Sequence, residues 1–316
     1  MTFSGEDIKG KSTMHHRELG ATGVLISEVG MGCNRLGEAN VPDAHWIELV
    51  RRAVDLGVNL FDTSESYGWG RSEEMLGRAL EGRQDVLIAT KMARIRETGA
   101  HDFSCQRMVA QVEGSLRRLR RDVIDIYQLH SPTREALERY DWAAGMAKLK
   151  AQGKIRFAAV AVRDEADGIW LMEEGLVDVL QITYNIFHSE PESRLFDLAL
   201  AKGVGLLCRM PLARGVLTGK FAPDQEVDEG HRALLDGDRM WENIRRAEDL
   251  RSIAAEFPGG MTRMALQFSL TPRAVSAVIP GARKISQLEE NVAASNGSGL
   301  PPDVRAAVRG VQETWS

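Results

Sequence analysis

The segment FDTSESYG, residues 61–68, places a carboxylate and a phenol five positions apart, as Asp62 and Tyr67. On a regular helix or strand, two side chains at this spacing would point in different directions. They can converge only if a strand ends near Asp62 and the chain then folds back as a loop. Loops at strand ends often carry catalytic groups, so the segment predicts a functional loop.

Two other apolar runs end in side chains that are costly to bury. Lys91 lies in the run IATKM, and His130 ends the run IDIYQLH. A buried ammonium needs a carboxylate, and Asp62 is the available partner. A neighbouring Lys91 would lower the pKa of Tyr67 from its usual value of about 10, so that Tyr67 could donate a proton to a carbonyl oxygen. His130 could orient the same oxygen. This set has no hydride donor, so it implies a cofactor.

Each of these four residues also has a simpler interpretation when it is taken alone. Asp62 could be a turn residue, Tyr67 a rim aromatic, Lys91 a snorkelling side chain and His130 a hydrogen-bonded loop histidine. Four such residues at the ends of consecutive strands favour the catalytic interpretation.

The elements that must position these residues alternate along the 316-residue chain. Eight apolar strands are predicted to end at residues 32, 62, 92, 130, 162, 184, 208 and 281. Helices are predicted over residues 44–56, 72–81, 106–120, 138–152, 166–174, 193–202, 239–256, 262–270, 286–294 and 302–312. This alternation predicts an α/β fold with a parallel sheet, and eight units are typical of a closed (β/α)8 TIM barrel.

A doubly wound open sheet is the alternative architecture. Gly30-Met31-Gly32 begins like its phosphate fingerprint, but Arg35 holds the third glycine position. Residues 17–28 predict a hairpin that plugs the barrel bottom, and the last helix is an addition to the barrel. We expect a flexible segment over residues 1–14 and a single domain over residues 15–316.

Composition excludes several other classes of protein. The net charge is −5, and 43% of the residues are hydrophobic. No basic arm indicates nucleic-acid binding, and no apolar segment is long enough to indicate a membrane partner. Cys33, Cys105 and Cys208 form no metal-binding or disulfide pattern, which together with the absence of a secretory signal favours the cytoplasm. We expect no metal site, and a monomer or homo-oligomer.

These residues stand in segments that resemble the aldo-keto reductase family. The matching segments include GVNLFDTSESYGWGRSEEMLGRAL, IDIYQLHSP, GKIRFAAVAV, PLARGVLTGKF and VIPGARKISQLEENVAA, in the family's order. The resemblance implies a (β/α)8 barrel that transfers a hydride reversibly between a nicotinamide and a carbonyl carbon. It also implies that Tyr67 donates the proton, that Lys91 and Asp62 tune it, and that His130 orients the substrate.

The resemblance implies nicotinamide contacts with one departure. Gln181 would bind the carboxamide, and Arg209 would stack on the nicotinamide ring. The family's usual Ser-Asn pair for the carboxamide is replaced by Ala161 and Val162, whose side chains cannot form hydrogen bonds.

The rest of the cofactor would lie along two further segments. Pro211, Leu212 and Gly215 stand in PLARGVLTGKF, and the IPGAR sequence resembles branches of the family that lack a lysine-serine pair. There Gly281 would approach a phosphate, Arg283 would bind the 2′-phosphate, and Gln287 and Asn291 would reach the adenine. Arg283 favours NADPH over NADH as the cofactor.

Three functions are consistent with this reading. The first is an NADPH-dependent reductase of small-molecule carbonyls such as aldehydes, ketones or keto-sugars. The second is an NADP-dependent dehydrogenase of a secondary alcohol or sugar. The third is a cofactor-binding regulatory subunit resembling potassium-channel β subunits. Arg35, Trp69 and Met92 are predicted to line the mouth, and the loop 215–238 is predicted to close over the cofactor.

Overall fold

A computed structural model of the chain describes residues 14–93, 95–222 and 238–315. The predicted flexible segment at residues 1–14 lies outside the described residues except for Met14. Most of the predicted closing loop, residues 223–237, also lies outside them.

Eight parallel strands form the central sheet. They follow a two-stranded hairpin made of β1 (His16–Glu18) and β2 (Leu25–Ser27). The sheet strands are β3 (Met31–Gly32), β4 (Leu60–Asp62), β5 (Leu87–Met92), β6 (Ile124–His130), β7 (Ile155–Ala161), β8 (Val179–Thr183), β9 (Gly205–Arg209) and β10 (Val275–Val278). Each strand pairs with the next in chain order.

Backbone contacts between the first and last sheet strands close the barrel. Val29 pairs with Val278, and Gly32 pairs with Gly281. The amide of Gly30 donates to the carbonyl of Val278 at 2.8 Å. Consecutive strand order and this closure confirm the predicted barrel and exclude the doubly wound sheet.

The barrel interior follows from the two-residue period of each strand. Leu60, Leu87, Ile126 and Val179 are buried in one inner cluster. From below, the hairpin adds Leu19 and Ile26 to the same cluster, as its sequence predicts. Further along the same strands, towards their carboxyl ends, the inward-facing side chains are polar. They include Asp62, Lys91, Gln128 and Gln181. The barrel therefore has an apolar lower half and a polar upper end.

Helices surround the barrel, and most lie where the sequence predicts them. They are α1 (Asp43–Asp55), α2 (Arg71–Ala79), α3 (Cys105–Leu119), α4 (Arg134–Arg139), α5 (Trp142–Ala151), α6 (Glu165–Glu173), α7 (Leu195–Lys202), α8 (Asp238–Asp249), α9 (Arg251–Glu256), α10 (Gly260–Leu270), α11 (Ile285–Val292) and α12 (Pro302–Gln312).

Two helices predicted as continuous are each divided. The segment 138–152 is interrupted because Tyr140 has an extended backbone and Asp141 accepts a hydrogen bond from the amide of Cys105. The segment 239–256 is divided at the buried residue Leu250.

A buried carboxylate fastens the lower end of the barrel. Glu28 Oε1 accepts hydrogen bonds from the hydroxyl of Ser295 at 2.9 Å and from the amides of Asn296 and Gly297 at 2.8 and 2.9 Å. Its Oε2 accepts from Arg17 Nε at 2.7 Å. Glu28 thereby joins the hairpin to the segment that follows α11.

Candidate active site

A buried ion pair lies at the carboxyl ends of β4 and β5. Lys91 Nζ donates to Asp62 Oδ2 at 2.5 Å and to the carbonyl oxygen of Thr63 at 2.9 Å. Burial is the largest single effect and lowers the pKa of Lys91, but the charge of Asp62, the charge of Tyr67 and the hydrogen bond to Asp62 together raise it, so the net direction is upward. Lys91 is therefore a charged ammonium, and it has the carboxylate partner that the sequence predicts.

The loop after β4 brings Tyr67 over this pair. The ammonium nitrogen of Lys91 is 5.2 Å from the centroid of the Tyr67 ring. The chain then turns through three consecutive left-handed residues, with φ of 58° at Gly68, 53° at Trp69 and 94° at Gly70. Because glycine adopts this conformation without steric cost, the two glycines permit the turn. Asp62 and Tyr67 thus converge, as the opening segment predicts.

The prediction that the pKa of Tyr67 is lowered is wrong. Burial raises the pKa, the charges of Lys91 and Arg209 lower it, and the charge of Asp62 raises it again. The net pKa lies above the ordinary value of 10.0 because burial is the largest of these effects. Tyr67 is consequently a protonated phenol at neutral pH.

His130 ends β6 and faces Tyr67. The two rings meet edge to face, with centroids 5.6 Å apart and an interplanar angle of 87°. Burial lowers the pKa of His130 to about 3, and the charges of Lys91 and Arg209 contribute in the same direction. His130 is therefore neutral at physiological pH. Its Nδ1 lies 3.0 Å from the hydroxyl oxygen of Ser64.

Two glutamines also hold Asp62. Its Oδ1 accepts from Gln128 Nε2 at 3.0 Å and from Gln181 Nε2 at 2.7 Å. The amide nitrogen of Gln181 is thus directed at Asp62. Sequence reasoning missed Gln128, although it stands two residues before His130 and therefore shares its inward-facing side of the strand.

The guanidinium of Arg209 reaches the end of β7. Arg209 Nη2 donates to the carbonyl oxygen of Val162 at 3.0 Å. Its Nε is buried and, within the described ranges, has no hydrogen-bond partner. The Val162 side chain packs in the hydrophobic core, while Ala161 ends the inner face of β7. Arg209 therefore occupies the neighbourhood in which the Ser-Asn pair is replaced.

A sharp turn follows β9 and contains the next predicted cofactor residues. After Pro211 and Leu212, Ala213, Arg214 and Gly215 have positive φ values of 45°, 57° and 96°. A side chain added at Gly215 would lie 3.2 Å from Lys220 Nζ. Close approach of backbone and ammonium groups at one end of a barrel is suited to an anionic ligand.

The loop after β10 is held by its own helix. Asn291 Nδ2 donates to the carbonyl oxygen of Gly281 at 3.2 Å, and the amide of Arg283 donates to Gln287 Oε1 at 2.9 Å. The side chains of Asn291 and Gln287 thus hold the loop in place, and their contact with adenine stays a prediction. Burial, followed by the charge of Arg283, lowers the pKa of Lys220, so two cations from different loops affect each other.

Glu38 is a further residue of this region that sequence reasoning missed. Its carboxylate accepts from Arg35 at 2.6 Å and from Arg283 at 2.9 Å. It therefore bridges the loop after β3 and the loop after β10. Arg283, predicted to bind a phosphate, has a carboxylate partner in this structure.

The predicted mouth residues lie in different environments. Trp69 is 49% exposed, and the guanidinium carbon of Arg96 is 4.9 Å from its ring centroid. Met92 does not line the mouth, since it is fully buried in the hydrophobic core. The reason is strand alternation, because Lys91 faces inwards and its neighbour must face the helices.

Two general features of the described residues bear on other kinds of site. Nowhere in the described ranges do three or more His, Cys, Asp or Glu residues come together in a way that could hold a metal ion. None of the helices in this part of the chain has the length and apolarity to span a membrane.

Comparison with known proteins agrees with this geometry. The chain is 34% identical over 293 residues to L-galactose dehydrogenase of Arabidopsis thaliana, covering 88% of this chain and 87% of that protein. It is 29% identical over 309 residues to the NADH-specific methylglyoxal reductase of Escherichia coli, covering 88% and 92%. The holo form of an aldo-keto reductase from Bacillus halodurans superimposes with a TM-score of 0.80 at 28% identity, covering 94% and 96%.

The family itself is also identified directly. The sequence profile of the Aldo/keto reductase family matches residues 28–313, which is most of the chain. The chain belongs to the aldo/keto reductase family and is an NAD(P)H-dependent oxidoreductase.

Proposed function

We propose that the chain reduces the carbonyl group of small aldehydes, ketones or keto-sugars with NADPH, and that Tyr67 is the general acid. The observation that carries this proposal is the buried Asp62–Lys91 pair beneath Tyr67, with neutral His130 against the same ring. A phenol, an ammonium and a neutral imidazole converge at one position. These groups are suited to protonating and orienting a carbonyl oxygen.

The residues at the barrel mouth fit a nicotinamide dinucleotide. Lys220 and Arg283 bring positive charge from two loops, and Gly215 allows the backbone to approach Lys220 closely. Arg209 has a buried Nε that can still donate a hydrogen bond. When bound, the nicotinamide supplies the hydride that the chain's own residues lack.

The chain's own residues hold the proton and transfer it to the substrate. Tyr67 holds it at neutral pH, since burial raises the pKa of its phenol, and gives it to the carbonyl oxygen. The Lys91 ammonium stabilises the phenolate that remains, and Asp62 fixes Lys91 through a hydrogen bond of 2.5 Å. His130 is neutral and donates a hydrogen bond to the same carbonyl oxygen.

The preference for NADPH rests on Arg283, whose planar guanidinium is suited to the 2′-phosphate. Glu38 pairs with Arg283 and would have to be displaced from it. The similarity to an NADH-specific reductase makes NADH the alternative to test.

A second candidate function is the reverse reaction, oxidation of a secondary alcohol or sugar. Similarity to L-galactose dehydrogenase favours it, because the residues that protonate a carbonyl also deprotonate an alcohol. The regulatory alternative is less favoured, because Asp62, Lys91, Tyr67 and His130 are all present, and each lies next to at least one other member of the set.

The experiment is to follow nicotinamide absorbance with purified protein, NADPH or NADH, and a panel of aldehydes, ketones and keto-sugars. Tyr67→Phe should lower turnover by at least about a hundredfold, because it removes the proton donor. Cofactor binding, measured by protein fluorescence, should be retained. Tyr140→Phe is the matched control, since the Tyr140 hydroxyl donates to the backbone carbonyl of His101 and not to a member of the proposed catalytic set.

Full turnover by Tyr67→Phe would contradict the proposed role of Tyr67. If the unsubstituted protein binds NADPH but reduces nothing in the panel, the next assay uses NADP or NAD with sugars and secondary alcohols. Failure of both directions with cofactor still bound would favour the regulatory function.

A further inference from the structure

Two serines of the loop after β4 face the ring nitrogen of His130. Ser64 Oγ lies 3.0 Å from His130 Nδ1, and Ser66 Oγ lies 3.4 Å from the same atom. The two hydroxyl oxygens are 3.0 Å apart. Ser64 is fully buried, so its hydroxyl has to find its partners within the protein.

The number of protons on the His130 ring limits the hydrogen bonds that it can form with Ser64 and Ser66. Because His130 is neutral, its ring carries one proton, on either Nδ1 or Nε2. If Nδ1 carries the proton, it donates to a serine, and Nε2 can only accept. If Nε2 carries the proton, Nδ1 accepts from a serine, and Nε2 can donate to a carbonyl oxygen.

The contacts of Ser64 favour the second arrangement. The other acceptors within reach of its hydroxyl are the hydroxyl oxygen of Ser66, at 3.0 Å, and the carbonyl oxygen of Lys91, at 3.3 Å. That carbonyl already accepts from the amide of Glu65. The contact with His130 is shorter than the contact with Lys91, and Ser66 supplies a second hydroxyl proton. Two donors therefore face the single acceptor position at Nδ1.

We propose that Ser64, supported by Ser66, is a positioning residue that fixes His130 as the tautomer carrying its proton on Nε2. The inference rests on the proposed function for its kinetic consequence only. In that function, the Nε2 proton is the one that orients the substrate carbonyl. The segment FDTSESYG then contributes four residues to the site, namely Asp62, Ser64, Ser66 and Tyr67.

The direct test is nitrogen NMR of the full chain labelled at histidine, without substrate. The chain has seven histidines, so the signals of His130 are identified by their loss in His130→Gln. We expect a protonated Nε2 and an unprotonated Nδ1. In the double variant Ser64→Ala/Ser66→Ala, the two tautomers should become mixed. A protonated Nδ1 in the unsubstituted protein would overturn the proposal, whether or not the protein is active.

The kinetic test separates positioning from structural damage. Ser64→Ala should lower kcat for carbonyl reduction by up to about tenfold, the effect of losing one hydrogen bond, with the Kd for NADPH unchanged. Ser66→Ala should have a smaller effect, because its contact with His130 is longer. Ser66→Thr keeps the hydroxyl and should retain the activity and the tautomer.

Ser72→Ala is the matched control for loss of a buried hydroxyl, in the helix α2 that follows this loop. Ser72 Oγ bonds the hydroxyl of Thr63 and the carbonyl of Cys33, and it does not contact His130. It should leave the tautomer of His130 unchanged. An equal change of tautomer in Ser72→Ala and Ser64→Ala would show general loosening and would overturn the proposal.

Discussion

The two ends of the barrel each contain a buried carboxylate paired with a cation. They differ in whether all of the buried polar atoms around the pair have hydrogen-bond partners. At the lower end, Glu28 accepts from Arg17, from a serine hydroxyl and from two backbone amides. At the upper end, Asp62 accepts from Lys91 and two glutamine amides. Among the described residues, Gln128 Oε1 and Arg209 Nε, both near Asp62, are buried without a partner.

Backbone conformation shows the same contrast. Positive φ at the lower end falls on glycines such as Gly20, Gly203 and Gly297, with Arg120 as a non-glycine exception. At the upper end it also falls on Trp69, Ser131, Met210, Ala213 and Arg214, where a side chain makes it unfavourable. Such strain collects at functional sites, because the surrounding structure holds residues in place for chemistry. The lower pair therefore completes the fold, whereas the upper pair lies among strained and unpaired groups, as is expected of a functional site.

The largest effect expected from this contrast is that of Asp62→Ala. It leaves the Lys91 ammonium buried without a counter-ion and should lower the free energy of unfolding by about 3–5 kcal/mol. The double variant Asp62→Leu/Lys91→Met should recover much of this loss, because both charges are removed together. Denaturant unfolding measures both variants, and neither should reduce carbonyls.

The corresponding double variant at the lower end sharpens the comparison. Glu28→Leu/Arg17→Met should recover less stability, since the backbone amides of Asn296 and Gly297 are fixed in place and would remain without an acceptor. At the upper end, the donors that lose Asp62 are the side chains of Gln128 and Gln181, which can rotate to other partners. Equal recovery at both ends would show that the two pairs are alike and would refute the distinction.

A smaller effect is expected from Glu28→Ala alone. The variant leaves buried donors without partners, and it should lower the free energy of unfolding by about 2–3 kcal/mol. Turnover of the folded protein should stay unchanged, because Glu28 lies at the opposite end of the barrel from Tyr67. A fall in kcat at a temperature where the variant is fully folded would contradict the division of roles.

The upper end could be predicted from sequence much more fully than the lower end. Asp62, Lys91 and His130 each end an apolar run, and a parallel barrel brings such ends together. Glu28 gave no such signal, because its partner Ser295 lies 267 residues away in sequence. Pairings of that kind depend on the closed fold and have no local pattern.

Within the site, geometry beyond the strand ends was not predictable. Gln128 faces inwards two residues before His130 on β6. Its hydrogen bond to Asp62 depends on how the strands are staggered. The contacts of Ser64 depend on the conformation of the loop. The pKa direction of Tyr67 was mistaken because the charge of Lys91 can be inferred from sequence, whereas the extent of burial cannot.

The smallest effect concerns the pH dependence of stability. Burial raises the pKa of Glu28, but the amide of Gly297, the charge of Arg17 and the hydroxyl of Ser295 together lower it below the ordinary value of 4.5. Its contribution is therefore fully present above pH 4.5 and is lost as the pH falls from there towards the folded-state pKa. The stability difference between the unsubstituted protein and Glu28→Gln should shrink over that range in denaturant unfolding.

Asp85→Asn provides the contrast needed to interpret this result. A hydrogen bond from Arg83 lowers the pKa of Asp85, but this pair is exposed to solvent. Added salt should therefore reduce the pH-dependent difference for Asp85→Asn and leave that for Glu28→Gln nearly unchanged, because buried pairs are screened less. Equal sensitivity to salt would show that Glu28 is open to solvent, and the lower end of the barrel would then lack the sealed pair that distinguishes it from the site above.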